Sequence, residues 1–378
     1  MGLLEKLQSQ VLTADGAMGT LLYSYGIDYC YEELNVKKPE VIENIHQQYI
    51  DAGADIIQTN TYTANAIKLE RYGLENSVKA INESAIQIAK KVASKGEQFV
   101  LGTIGGIRGI RKSDATLDEI IRSLDEQAGI LLAGNPDGLL LETYYDFDEL
   151  KAAVKHLRRI TDVPIISQVS MHEPGILQNG LRLNDALHQL EAIGADIVGV
   201  NCRLGPHHTI QAFEDVELPS KAFLSAYPNA SLLDVEDGKI VYESEAEYFG
   251  RSAVLLRDQG VRLIGGCCGT TPKHIEAVKH RLADLPPIQH KVVKHKEVIL
   301  IKEATKESYK PLHEKAKKER SIIVELDTPR HLEIEKFIEG SKALYEAGAD
   351  AVTMADNSLA SPRISNMAMG SILKLNNN

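Results

Sequence analysis

The 378-residue chain has no tryptophan, six phenylalanines and four cysteines. No apolar run approaches the roughly 20 residues needed to span a bilayer, so no transmembrane helix is expected. Four cysteines in so long a chain exclude a disulfide-built scaffold. The opening MGLLEKLQSQ carries Glu5 and Lys6 and lacks an apolar signal core, so a cytoplasmic location is expected. Lys6 also breaks the N-myristoylation pattern. Basic excess is missing too: the net charge is -11, which argues against a nucleic-acid surface or an anionic-membrane partner. No G-x-G-x-x-G follows the first apolar run, where DGAMGT stands instead, which disfavours a doubly wound dinucleotide fold.

What is present is a rhythm. Short runs rich in Val, Ile and Leu recur at 11–18, 54–62, 98–106, 138–145, 164–171, 196–204, 223–229 and 262–269. Near-continuous apolar runs suit strands buried on both faces. Helical patterns separate them, and eight such alternations predict an α/β fold of the (β/α)8 TIM-barrel type. The tetrapeptides AGAD (52–55), IGAD (193–196) and AGAD (347–350) each close a helical pattern ahead of a strand. Their glycines suit the left-handed residue that ends a helix. The barrel is assigned residues 1–285. A lysine-rich stretch, 286–320, reads as a linker with one strand and one exposed helix. Residues 321–378 restart with SIIVELDTP, a helix and ADAVTMADNS, the first βαβ unit of a second, incomplete barrel in a truncated sequence.

Barrel active sites lie at the C-terminal strand ends. There the predicted strands place Asp15, the TNTYTAN segment, Glu142, Asn201 with Cys202, Asn229, and the vicinal Cys267 and Cys268. Three of the four cysteines thus fall at one mouth of one barrel, whereas Cys30 reads as a buried hydrophobe. Three thiolates with one open position suit zinc. The competing reading is two buried thiols beside an unrelated third. A metal already surrounded by three anionic sulfurs favours an incoming thiol over water as nucleophile, so the chemistry implied is attack of a substrate thiol on an electrophilic carbon such as a methyl group. His207 and His208, close after Cys202, read as exposed loop residues.

The motifs DGAMGT, GADIIQTNTYTAN, DGLLLET, GVNC and IGGCCGTTPKHI together resemble the homocysteine S-methyltransferase family. The resemblance implies a TIM barrel with catalytic zinc on Cys202, Cys267 and Cys268. It implies that Asp15 and Glu142 bind the substrate amino group, and that amides around Thr61, Tyr62 and Thr63 take its carboxylate. Asn229 would fill the fourth zinc position before substrate arrives, and Asn201 would orient its neighbours. The reaction implied is methyl transfer to L-homocysteine, giving L-methionine. S-methylmethionine or S-adenosylmethionine is the expected donor, with methyltetrahydrofolate as a further candidate. No D-x-H-x-x-G cobalamin segment is present. The tail, with Glu325, is similar to the start of 5,10-methylenetetrahydrofolate reductase, so the whole resembles the bifunctional methyltransferase/reductase arrangement. FAD would then be bound only with a full reductase domain. Two rivals stand beside this reading: a thiol-redox protein using Cys267 and Cys268, and a non-catalytic zinc or folate-channelling scaffold.

Overall fold

The computed structural model describes residues 1–109, 115–231, 234–236, 239–241, 245–293, 312–330, 333–355 and 363–376. It divides into two compact units, Met1–Glu297 and Val298–Asn378. In the first unit eight parallel strands form one sheet: β1 (Leu12–Thr13), β2 (Ile56–Gln58), β3 (Phe99–Gly105), β4 (Gly138–Tyr144), β5 (Ile165–Val169), β6 (Ile197–Asn201), β7 (Phe223–Tyr227) and β8 (Val261–Ile264). Seven lie inside the expected apolar runs, and β8 starts one residue ahead of its run, at Val261. β1 pairs with β8 through Leu12 and Leu263, and a bridge from Ala14 to Ile56 joins β1 to β2 and completes the ring. The fold is the expected (β/α)8 barrel. Outside the expected pattern, Asp234–Glu236 and Lys239–Val241 pair as a small antiparallel ribbon after β7.

The interior is filled by one side chain from every strand: Leu12, Ile56, Leu101, Leu140, Ile166, Ile197, Tyr227 and Leu263. Leu3 and Leu7, from the helix Leu3–Ser9, join that cluster. The same helix receives Arg262, from the start of β8, on the Leu7 carbonyl at 3.0 Å, so it closes the N-terminal end of the barrel. The mouth at the opposite end is left for polar residues.

The repeated Gly-Ala-Asp has a structural meaning that exceeds helix termination. Gly53, Gly194 and Gly348 have φ of 94°, 104° and 93°. The aspartate that follows accepts the backbone N–H of the adjacent strand: Asp55 from Thr13 at 2.9 Å, Asp196 from Ile165 at 2.8 Å, Asp350 from Ile322 at 2.9 Å. Each also meets a cation, Lys279, Arg158 and Lys315 respectively. Asp137 repeats the device on Val100 at 2.8 Å with Lys90 at 3.0 Å. Thus the acid ahead of a strand satisfies the first amide of its neighbour and sets the register.

The stretch expected to be linker begins against the barrel: Lys291 donates to the Val216 carbonyl at 2.6 Å and Arg262 to that of Ile288 at 3.3 Å. Residues 294–311 lie outside the described residues. In the second unit, Ile323–Glu325 and Ala351–Thr353 pair in parallel around the helix Glu335–Glu346. That is one βαβ unit; the described residues show no closed second barrel. Among them no helix is long and apolar enough to cross a membrane.

Gly194 combines a positive φ with the stem of Arg158, whose Cγ would lie 3.0 Å from an added Cβ. Gly194→Ala is therefore expected to lower the unfolding free energy by about 1–3 kcal/mol, the range for a non-glycine residue forced into such backbone. Urea denaturation of the variant checks this.

Candidate active site

The thiols converge as the strand pattern required. The sulfurs of Cys202, Cys267 and Cys268 lie within 4.8 Å of one another, and those of Cys202 and Cys268 are 3.7 Å apart. All three cysteines are half-buried. Backbone hydrogen bonds to the segment after β7 bring them there. Cys202 N–H donates to the Tyr227 carbonyl at 3.0 Å and Cys267 N–H to that of Pro228 at 2.9 Å. Asn229 N–H donates to Leu204 at 3.0 Å and Ala230 N–H to Cys268 at 2.9 Å. Cys202 and Arg203 both adopt positive φ, 60° and 62°, which turns the chain sharply at the end of β6. Gly265 and Gly266 are there for space. A Cβ on the first would fall 2.9 Å from Ala14 Cβ, and one on the second 2.4 Å from Thr270 Oγ1.

This donor set fits zinc. Tetrahedral zinc with Zn–S of about 2.3 Å places its sulfurs roughly 3.8 Å apart, close to the Cys202–Cys268 spacing. The neighbouring thiols of Cys202 and Cys268, together with burial, hold Cys267 well above the ordinary thiol range. For Cys202 the contact with Cys267 favours the thiolate, but Cys268 and burial outweigh it and its pKa also rises. Three thiolates at this spacing need a cation among them. Cys30, by contrast, is buried, with Sγ 3.6 Å from Glu32 Oε2, and burial pushes it up to about 11. It takes no part.

Two carboxyl groups enter the same mouth. Asp15 is buried and accepts from Gln58 twice, backbone N–H at 2.9 Å and Nε2 at 2.6 Å. Burial raises its pKa to about 7 in spite of these bonds. Glu142 is raised to about 8, first by burial and then by the charges of Asp15 and Cys268. Asn201 holds it: Nδ2 donates to Glu142 Oε2 at 3.0 Å and to Thr143 Oγ1 at 2.7 Å, while Oδ1 accepts Thr143 N–H at 2.7 Å. Thr143 itself has φ of 56°, so Asn201 fastens a strained turn at the end of β4. Asn229 is buried with Oδ1 unpartnered among the described residues, consistent with an oxygen kept for a cation.

The TNTYTAN segment behaves differently from expectation. Thr61 N–H donates to the Thr59 carbonyl at 2.9 Å and Thr63 N–H to Glu32 Oε1 at 2.8 Å. Thr61 is fully buried, with Oγ1 on the Thr103 carbonyl at 2.7 Å. Both amides are thus engaged within the protein, because a buried turn must satisfy its own N–H groups first. Tyr62 remains the residue of this trio that bears on the sulfurs and on Glu142, whose charges add to burial in raising its phenol. Its ring is wedged so closely on Gly105 that a Cβ there would lie 2.3 Å away, and Lys68 Nζ sits 4.0 Å from its centroid on a cation–π contact. His207 and His208 stand in the first turn of the helix Pro206–Glu214 instead of a loop, since Pro206 starts that helix. Neither joins the sulfur cluster.

Sequence reading missed Gln58, Lys68 and Tyr227. Gln58 and Tyr227 carried a usable signal, each being the last residue of a barrel strand. Lys68 did not, since it reaches the site from the short helix Ala66–Leu69.

A family model described as homocysteine S-methyltransferase matches residues 12–282. The chain belongs to the homocysteine S-methyltransferase family. Methionine synthase from Mycobacterium tuberculosis is 31% identical over 303 residues, and that of Mycobacterium leprae 31% over 301. These alignments cover 75% and 74% of this chain, which spans only about a quarter (25%) of either relative. The homocysteine methyltransferase MmuM of Escherichia coli, in its metallated form, superposes with a TM-score of 0.62 at 24% identity, over 72% of this chain and 96% of its own. Its apo form gives 0.59 at 25% identity, over 74% and 98%. All five motifs of the sequence resemblance fall within or overlap the matched span; the second unit lies outside it.

Glu142 gives a pH-dependent prediction. Its folded pKa of about 8 exceeds the unfolded value of roughly 4.3, so the native state holds a proton that the unfolded state releases between these values. Its contribution to stability therefore declines as pH rises through that window and is constant above it. In metal-free protein, Glu142→Gln is expected to gain in Tm relative to the unsubstituted chain from pH 5 to pH 8, with no further gain above about 9. Thermal melts across pH check it.

Proposed function

We propose that this chain holds zinc on Cys202, Cys267 and Cys268 and transfers a methyl group to the sulfur of L-homocysteine, giving L-methionine. The observation that carries this is the meeting of three thiols, the buried Asp15 and the half-buried Glu142 at one barrel mouth, in a chain of this family. Zinc, when bound, lowers the pKa of an incoming thiol and leaves its sulfur nucleophilic.

The protein's own groups do the rest. Asp15 and Glu142 receive the substrate ammonium, whose charge removes the penalty that burial imposes on both carboxylates. Gln58 and Asn201 hold the two acids in position. Tyr62, clamped between Gly105 and Lys68, walls the pocket. With the thiols fixing one end and the acids the other, the substrate sulfur faces the donor methyl. The new C–S bond forms as the bond from methyl to donor breaks, its electron pair leaving with the donor. A sulfonium, S-methylmethionine or S-adenosylmethionine, suits this mouth better than methyltetrahydrofolate. The mouth is rich in acidic groups, and the half-buried Tyr145 beside Cys202 and Cys267 offers a ring to a cation. For the second unit we propose the opening of a methylenetetrahydrofolate reductase-like domain (321–378), on the sequence resemblance and its parallel βαβ pairing. FAD would belong to a complete domain of that kind, not to this unit alone.

A donor panel tests the main reading. Zinc-loaded protein with homocysteine is expected to form methionine with a sulfonium donor, and chelation is expected to abolish turnover. Cys202→Ser should lose both the metal, by elemental analysis, and the activity. Metal-independent thiol oxidation would support the redox rival, and bound zinc with no methionine from any donor would support the scaffold.

A further inference from the structure

Tyr227 is the last residue of β7, and its side chain is 1% exposed. Its hydroxyl has no hydrogen-bond partner among the described residues. The ring belongs to the barrel's interior cluster and lies so close to β8 that a Cβ on Gly265 would fall 3.0 Å from two of its carbons. It therefore stands as the floor of the mouth, with little room to turn. The charges of both Asp15 and Glu142 bear on its hydroxyl. An unpartnered phenol that ends an otherwise apolar barrel core, its ring packed with Ala14 around Gly265 one residue from Asp15, is a group kept for something that arrives.

We infer that Tyr227 is a substrate-binding residue that reads the ammonium group of the thiol substrate, a role that rests on the homocysteine reading above. A primary ammonium carries three N–H donors. Asp15 already accepts two bonds from Gln58, and Glu142 one from Asn201. Each acid has room for one arm of the ammonium, and a third arm needs another acceptor. The unpartnered Tyr227 oxygen supplies it. A thiol lacking the amino group gains nothing from it.

The test compares the zinc-loaded wild type with Tyr227→Phe. The ligands are L-homocysteine and 4-mercaptobutanoate, the same carbon chain without the amino group. Calorimetric affinity is measured alongside KM and kcat. Removing an unpartnered hydroxyl leaves the apolar ring in place, so the variant is expected to keep its zinc and its ligand-free Tm. Homocysteine should bind about 10- to 100-fold more weakly, the range for a hydrogen bond to a charged group. KM should rise correspondingly with kcat little changed, and 4-mercaptobutanoate should bind both proteins alike. Equal weakening of both thiols would reduce Tyr227 to packing and overturn the inference, as would unchanged affinity for both. If the wild type itself shows no preference for homocysteine over 4-mercaptobutanoate, the homocysteine reading falls first and takes this one with it.

Discussion

The site depends on four consecutive residues that bear no thiol. Tyr227, Pro228, Asn229 and Ala230 exchange backbone hydrogen bonds with the two cysteine-bearing strand ends, at Cys202, Leu204, Cys267 and Cys268, all between 2.9 and 3.0 Å. β7 lies between β6 and β8 in the sheet, so its extension is the only strand end that touches both neighbours. Cysteines 65 residues apart are thereby set from one clasp, and the spacing of their sulfurs follows from main-chain geometry. Pro228 fits this role: it cannot donate, and its carbonyl serves as the acceptor for Cys267.

Convergence of this kind stores strain, and the structure shows where. Thr143, Cys202 and Arg203 are non-glycine residues with φ of 56°, 60° and 62°. Each such residue costs of order 1–3 kcal/mol and persists only when its surroundings over-determine it. Asn201 does this for Thr143 with bonds to both its amide and its hydroxyl. The clasp does it for Cys202. The same asparagine also reaches Glu142, so one side chain links the strained end of β4, an acid at the barrel mouth, and the residue next to a thiol.

Much of this was legible in the chain itself because the governing signals are periodic. Buried parallel strands announce themselves as unbroken apolar runs, and once eight of them are rolled into a ring the thiols must share a mouth. The Gly-Ala-Asp repeat was legible as helix punctuation, but its aspartates' bonds to neighbouring strands were not, since those partners lie 28 to 42 residues away. The expectation for Thr61 and Thr63 suffered from a related blindness. A resemblance can point to a loop that binds, yet only coordinates show that Glu32 and Thr59 have already taken the amides. Gln58 and Tyr227 carried a signal by position, as last residues of barrel strands, but a polar or aromatic residue there reads equally well as a boundary.

Charge ties the two halves of the site together. Three thiols and two carboxyl groups share a mouth in which Lys68 is a cation of the described residues, and it is spent on a ring face with burial lowering its pKa to about 8. Glu142 feels both Asp15 and Cys268. The pocket in isolation therefore resists its own ionisation, and a positive charge placed at either end relieves the other through the low dielectric between them. A cation among the sulfurs makes the acids easier to ionise, and an ammonium between the acids favours thiolates. A positive charge at the sulfurs and one at the acids would thus answer the same deficit, which the barrel builds in by gathering thiols and carboxyl groups at a mouth where Lys68 is turned onto the Tyr62 ring.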